Sequence, residues 1–283
     1  MEDKKEKLPS TSINWYPGHM LKTKKQIIED LRLIDVVIEI LDARIPVSSQ
    51  NPDLQKITQN KKRIVLLNKS DLADEKETKK WQQYFISQNI PCLITDGNTG
   101  KGVKDVLNEV EKELTEKLEK ASQKGIQNKN IRLMILGIPN VGKSSLINRL
   151  AGKKSQQVGN KPGVTKQKQW VRISKNIELL DTPGVLWPRF EDEKVALNLS
   201  YTGTIKDEIL HKEDIAYNLV KYLWVNYKNN IISRYNLTEE DIKSIMIQDK
   251  NELLDENVKL MNVIAKKRGA LVSKRRSRLR QSF

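Results

Sequence analysis

The chain alternates short apolar runs with longer charged stretches, and the period of the apolar positions changes along its length. Residues 21–33, with Ile27, Ile28 and Leu31 followed by Ile34, carry the helical spacing. Residues 35–41 (DVVIEIL) form a β-branched run that predicts a buried strand, and so do residues 63–67 (RIVLL) and 90–94 (IPCLI). Residues 81–87 predict the helix between the last two. Residues 103–122 read as a charged amphipathic helix, with Val103, Val106, Leu107, Val110, Leu114 and Leu118 on one face. A polar linker at 123–130 (QKGIQNKN) precedes a strand at 131–136, a glycine-rich turn and a helix at 143–150. Two strands follow, at 169–173 and 177–180. Strands separated by helical stretches predict an α/β domain with a mostly parallel sheet.

The pattern changes after about Val195. From there it is helical, most clearly at 215–227, and no strand or internal repeat is evident. Residues 237–260 predict two more helices, with Thr238 to Asp241 as an N-cap signal. The expected organisation is an α/β domain over 1–195, opening with a leader at 1–12, then a small all-helical domain over 196–283 with a basic tail.

Composition adds a partner class. Charged residues make up 31% and hydrophobic residues 37% of the 283, which suits a folded core and argues against disorder. No apolar run approaches the roughly 18 residues of a membrane span. The opening residues MEDKKEKLPS lack a signal-peptide core, and the one cysteine, Cys92, lies in an apolar run and reads as a buried filler. The expected compartment is the cytoplasm, with no membrane partner. The net charge is +15. It concentrates in two blocks, residues 153–175 with seven basic side chains and 266–283 with eight, neither holding an acid. Such blocks point to a polyanion, and nucleic acid is the usual one.

The strongest chemical signal is Gly137-Ile-Pro-Asn-Val-Gly142-Lys143-Ser144, between a predicted strand and a predicted helix. It fits the P-loop pattern, in which the loop backbone wraps phosphates, here that of Pro139, Asn140, Val141, Gly142, Lys143, Ser144 and Ser145, with an N–H donor at each position but the proline. Lys143 would reach the β- and γ-phosphates, and the Ser144 hydroxyl would bind Mg²⁺. Asp181-Thr-Pro-Gly184 ends the next strand pair. Asp181 would approach Mg²⁺ and Gly184 would sense the γ-phosphate. Thr165, between the two motifs, would complete the metal shell when triphosphate is bound. Asn68-Lys69-Ser-Asp71 follows the strand RIVLL. In such a box the Asp accepts from the N1–H and 2-amino groups of guanine, a donor pair adenine lacks. Thr95-Asp96-Gly97 is the expected last base-reading box, acting through its backbone.

These boxes stand in an unusual order. The base-reading residues at 68–71 and 95–97 precede the phosphate-reading residues at 137–184. A circular permutation of the ordinary GTPase order accounts for this with one spatial site, and it places the loop after Asp181 near the end of the G domain.

With Trp15-Tyr-Pro-Gly-His-Met20, Asp42-Ala-Arg-Ile-Pro46, Ser48-Ser-Gln-Asn-Pro52 and Asp181-Thr-Pro-Gly-Val-Leu-Trp-Pro188, the permuted boxes resemble the circularly permuted ribosome-assembly GTPases, most closely the bacterial RbgA (YlqF) family. The resemblance covers roughly 13–190 in motifs. It implies a P-loop GTPase that hydrolyses GTP to GDP late in large-subunit assembly, stimulated by the precursor particle and contacting its rRNA. Asp96-Gly97 departs from the Ser-Ala-like pair of many members. A GTPase serving another RNA, such as tRNA, and an RNA-binding protein using GTP as a structural ligand are the rival readings.

Four groups are open to two readings. A Ras-like enzyme has Gln after D-x-x-G to orient water, and here the residue is Val185. The resemblance places His19 near the γ-phosphate, as the alternative catalytic group, or else His19 fixes the turn before the first helix. Asn140 matches the asparagine with which similar GTPases hold K⁺, or is an ordinary P-loop residue. Asp42 and Arg44 either line the site or form an internal ion pair, and the latter is favoured. Trp15, Trp170 and Trp187 either stack on RNA or pack, and packing is favoured.

Overall fold

The computed structural model describes residues 18–124, 129–152, 169–188, 190, 192–205, 211–246, 255–270, 272–273 and 276–277, with residues 18, 19, 272, 273, 276 and 277 for their backbone only. The chain divides into two compact units, Met1–Lys206 and Asp207–Phe283.

The first unit is built on six strands: β1 (Val36–Asp42), β2 (Lys62–Asn68), β3 (Cys92–Ile94), β4 (Ile131–Leu136), β5 (Gln169–Arg172) and β6 (Ile177–Asp181). Their order in the sheet is β3-β2-β1-β4-β6-β5. All neighbours are parallel except β5, which runs antiparallel along the edge of β6. The chain therefore builds outward from β1 to β3, returns to lay β4 beside β1, then runs to the far edge as β5 and back as β6 between β4 and β5. The reversal lies between β1 and β4, and the crevice beyond the carboxyl ends of such strands is where open α/β sheets bind ligands.

Burial explains the order. Every residue of β1 is buried, which requires cover on both faces and hence a central place. In β5 only Val171 is buried, which fits an edge. Glu39 is buried with the rest of β1 and pairs with Arg63 of β2 at 3.2 Å. Burial raises the Glu39 carboxyl above its usual range and Arg63 draws it back.

The helices of this unit are α1 (Gly18–Asp30), α2 (Pro52–Thr58), α3 (Glu75–Ser87), α4 (Val103–Gln123), α5 (Lys143–Leu150) and α6 (Glu193–Tyr201). The apolar stripe of α4 is as the periodicity predicts, with Val103, Val106, Val110 and Leu114 buried. Cys92 is buried against Phe85 and Leu67, and burial pushes its thiol up to about 12. Helix α2 is too short to show a period. Its start is set by Asn51, whose side chain accepts from the N–H groups of Asp53 and Leu54, with Pro52 in the first turn. Helix α6 stays with the sheet, beyond the expected boundary at 195, because Ala196 and Leu199 are buried and Asn198 donates to Ser48 Oγ at 2.9 Å.

The second unit holds α7 (Lys212–Asn226), α8 (Lys228–Tyr235), α9 (Glu239–Met246) and α10 (Glu256–Lys267). Their core is Val220, Trp224, Ile231, Leu237, Ile245, Leu260, Met261 and Ile264. Trp224 donates to Glu256 at 2.8 Å, fastening α7 to the start of α10. Thr238 and Asp241 satisfy each other's backbone N–H groups, as the N-cap signal predicts. The unit is not purely helical. Val272–Ser273 (β7) and Arg276–Ser277 (β8) pair antiparallel in the tail, in runs too short to show alternation. No helix among the described residues is long and apolar enough to cross a membrane.

Asn51 also donates to the carbonyl of Val185 at 2.8 Å, while being 1% exposed. Asn51→Ala removes a helix cap and strands a buried carbonyl, so stability should fall by roughly 2–4 kcal/mol. Urea denaturation of the purified variant measures this, and a midpoint equal to wild type would contradict the two-sided role.

Candidate active site

Five loops meet at the carboxyl ends of the parallel strands. They follow β1 (from Asp42), β2 (Asn68 to Asp71), β3 (Thr95 to Gly97), β4 (Gly137 to Ser144) and β6 (Asp181 to Val185). The boxes read from the sequence are thus brought to one side of the sheet, although 113 positions separate Asn68 from Asp181.

The loop between β4 and α5 takes its shape from two left-handed residues, Asn140 (φ 57°) and Gly142 (φ 98°). A Cβ at 142 would also collide with the Asn68 amide, so glycine is required there twice over. Lys143 is buried and turns back over the loop, donating to the carbonyls of Gly137 (3.1 Å) and Ile138 (2.8 Å). Burial pushes its ammonium down to about 8, and Asp181 draws it partly back. Asp181 is itself fully buried, and neither carboxylate oxygen has a hydrogen-bond partner among the described residues. Burial pushes its carboxyl up to about 6, against the pull of Lys143 and of the Thr182 N–H, which faces it outside hydrogen-bond geometry. A buried carboxylate left this way is costly unless something cationic completes it. Next to the amino end of a helix and a phosphate-binding loop, an oxygen-coordinated divalent cation fits that need.

Asn68 ties the base-side loops to the phosphate loop. Its Nδ2 donates to Val141 O at 2.9 Å, and its Oδ1 accepts from Gly97 N at 3.0 Å and from Thr95 Oγ1 at 3.3 Å. Lys69 adopts a left-handed backbone (φ 59°) and its Nζ reaches Asn140 O at 2.5 Å and Asp42 Oδ2 at 3.5 Å. Burial lowers the Lys69 pKa, and Asp42 opposes this. Arg44 makes two parallel bonds to Asp42, at 2.8 and 2.6 Å, so the favoured ion pair is present. The same ion pair holds Lys69, a link that sequence spacing could not reveal. Asp71 stands exposed in the 3₁₀ turn Ser70–Leu72, open to a ligand. Asp96 closes its own turn by accepting from Asn98 N (2.8 Å) and Thr99 N (3.2 Å). Gly97 lies against Ser145 and Leu146 of α5, where a Cβ would sit 3.2 Å from Leu146 N.

The loop after β6 rests on the phosphate loop. A Cβ at Gly184 would come within 2.6 Å of Pro139 backbone atoms. Val185 donates to Gly137 O at 3.3 Å, and its side chain is 1% exposed. The residue in the glutamine position is therefore core, and its backbone is pinned from both sides by Gly137 and Asn51. Asn140 donates weakly through Nδ2 to the carbonyls of Thr202 (3.4 Å) and Gly203 (3.3 Å), beyond α6. No motif signalled these partners.

Thr165 and Trp15 lie outside the described residues, as does the His19 side chain. The His19 backbone belongs to the first turn of α1, not to a turn before it. Trp170 is 41% exposed, with the Arg132 guanidinium 5.7 Å from its ring, while Trp187 packs edge-on to Phe190 at 5.1 Å.

Comparison with known proteins agrees with this arrangement. Residues 132–267 match the family described as 50S ribosome-binding GTPase, and residues 54–190 match RsgA GTPase. Ribosome biogenesis GTPase A of Bacillus pumilus is 45% identical over 262 residues, covering 93% of this chain and 88% of that protein. The chain belongs to the ribosome biogenesis GTPase A family. The Bacillus licheniformis member is 46% identical over 261 residues, covering 92% of this chain and 88% of its own. GNP-bound YlqF from T. maritima superposes with a TM-score of 0.51 at 27% identity, over 87% of this chain and 93% of that one. As a member of this family, the protein is a circularly permuted P-loop GTPase that binds guanine nucleotide and hydrolyses GTP in ribosome assembly.

The two buried charges set a pH dependence. Asp181 has a folded pKa of about 6 against an ordinary 3.8, so the folded state holds a proton that the unfolded state has lost. Its contribution lowers stability progressively as pH rises through that window, by roughly 3 kcal/mol in full. Lys143, at about 8 against 10.5, has the opposite window, and its penalty is present below pH 8 and fades as pH rises toward 10.5. Nucleotide-free Asp181→Asn should gain stability relative to wild type as pH rises from 3.8 to about 6, measured by denaturation over a pH series. Parallel curves for variant and wild type would contradict it.

Proposed function

We propose that this GTPase acts late in assembly of the large ribosomal subunit, in the cytoplasm, and that the precursor particle stimulates its hydrolysis of GTP. The observation that carries the reading is the burial of Val185. The group that orients the attacking water must come from elsewhere, so hydrolysis by the protein alone is slow, and the particle is the natural trigger. The matched family described as 50S ribosome-binding supports the large subunit as partner, and the basic tail supports contact with its rRNA.

In this reading Asp71 accepts from guanine, Asn68 holds the loop and the Lys69 stem lies on the base. The backbone N–H groups of Thr95, Asp96 and Gly97, expected to face the guanine O6, are instead given to Leu67 O, Lys101 O and Asn68 Oδ1, so this box holds the loop beside the base rather than donating to it. The backbone of 139–145 wraps the phosphates through the N–H groups of 140–145, Lys143 reaches the β- and γ-phosphates, and Gly184 senses the γ-phosphate. Ser144, Thr165 and Asp181 would hold Mg²⁺, which when bound offsets phosphate charge and satisfies the stranded Asp181. Asn140 spends its Nδ2 on Thr202 and Gly203, which leaves its Oδ1 for a K⁺ ion beside the bridging phosphate oxygens. His19 orients the water once the particle fixes the segment around it, because position held before the chemical step is what makes a general base effective.

Asp71→Asn should weaken GTP binding by several kcal/mol, roughly, and shift preference toward xanthine nucleotides, whose O2 accepts where guanine donates. Unchanged GTP affinity by titration would remove Asp71 from the site. Turnover measured with and without large-subunit precursor particles tests the central reading. The wild type should be slow alone, fast with particles, and slower in NaCl than in KCl at equal ionic strength. His19→Ala should keep GTP and particle binding and lose most of the stimulation. Stimulation that survives this substitution at saturating particle would give the water to rRNA or a ribosomal protein, and no stimulation of the wild type would sink the proposal.

A further inference from the structure

A second polar concavity lies at the opposite end of the sheet. It has a volume of about 350 Å³ and is lined by Lys62, Glu116, Lys117, Lys120, Ala121, Lys124 and Lys129. Lys62 opens β2 and Lys129 shortly precedes β4, so this concavity sits at the amino ends of the strands. The nucleotide loops sit at the carboxyl ends, roughly 20 Å away along a strand of this length. Two segments distant in sequence supply the lysines, Lys62 and the stretch 117–129.

The charge balance there is uneven. Five lysines face one glutamate in the lining. At the margin, Asp35 pairs with Lys117 at 2.5 Å and Glu113 approaches Lys62 at 3.6 Å. Lys120 meets Glu116 only at 4.0 Å, and both are largely exposed. Lys124 and Lys129 have no acidic partner among the described residues, and the four residues between them in sequence (Gly-Ile-Gln-Asn) carry no charge. Lys117, Lys120 and Lys124 recur at helical spacing on α4 and form a row about 10 Å long. Such a row can meet more than one phosphate of a nucleic-acid strand.

We propose that this lysine-lined concavity binds the phosphodiester backbone of RNA, as a contact separate from both the GTP site and the basic tail. The inference rests on the reading of an RNA-containing partner. The lining favours a backbone over a base, because among the described residues it holds no aromatic ring, side-chain amide or guanidinium with which to read a base edge. Lysines act as point charges on flexible stems, which suits phosphates met without sequence preference.

The test uses the full chain and a labelled RNA hairpin of arbitrary sequence, with affinity measured across a KCl series. The variant Lys120→Ala/Lys124→Ala/Lys129→Ala should bind RNA about tenfold more weakly and show a salt slope shallower by about two. Its GTP affinity should equal that of wild type, which reports an intact fold. Lys76→Ala/Lys79→Ala/Lys80→Ala removes the same charge from the exposed face of α3 and should change the slope little. Equal effects of the two triple variants, or an unchanged slope in the first, would overturn the contact while leaving the RNA-binding reading in place. Tighter binding of poly-L-glutamate than of RNA through these lysines would also overturn it, in favour of an acidic protein segment. A wild type that binds no RNA at low salt would defeat the underlying reading, and the proposal with it.

Discussion

The side chain of Asn68 is the point on which the site depends. One amide group, 1% exposed, donates to the phosphate loop and accepts from the base-side loop after β3, while its own backbone ends β2. Three loops from three strands are thereby held in one register before any ligand arrives. The tightness is steric as well as polar, since the Gly142 position leaves no room for a Cβ beside that amide. Such preorganisation reduces the ordering cost of binding. It also explains how a permuted chain keeps a working site. The hydrogen bonds act between neighbouring strand ends, and the order in which the chain visits those ends does not enter.

Buried charge is the second constraint. Lys143 and Asp181 are both withdrawn from water, and Asp181 finds no hydrogen-bond partner. The fold accepts an electrostatic penalty at the place where phosphates and a cation would remove it. Two other buried acids of the domain are satisfied in the usual way. Asp42 is satisfied by Arg44, Lys69 and its own loop, and Glu39 by Arg63. The contrast separates the two uses of buried acids in one sheet.

Much of this was legible in the sequence. The strands DVVIEIL, RIVLL and IRLMIL are continuous apolar runs, and continuous runs of that length are what a sheet covered on both faces demands. The P-loop and the Asn68 box were legible because their chemistry constrains residue types at fixed spacing. Helix α2 was not, because seven residues are too few for a period and its start is a single capping side chain. The place of α6 was missed for another reason. Helical character is local, whereas its membership of the first unit is decided by distant partners such as Ser48. The Asp42 link to Lys69 and the lysines around Lys62 and Lys129 likewise depend on adjacency of strand ends, which no spacing along the chain encodes.

The contact of Asn140 with Thr202 and Gly203 has a thermodynamic consequence. A residue of the phosphate loop and the turn that ends α6 share one pair of weak hydrogen bonds. To whatever degree a bound nucleotide strengthens or loosens them, a force or ligand acting on that turn changes nucleotide affinity by the same factor, because coupling between two sites is reciprocal. The end of α6 is in this sense a second handle on the nucleotide, reached from outside the site.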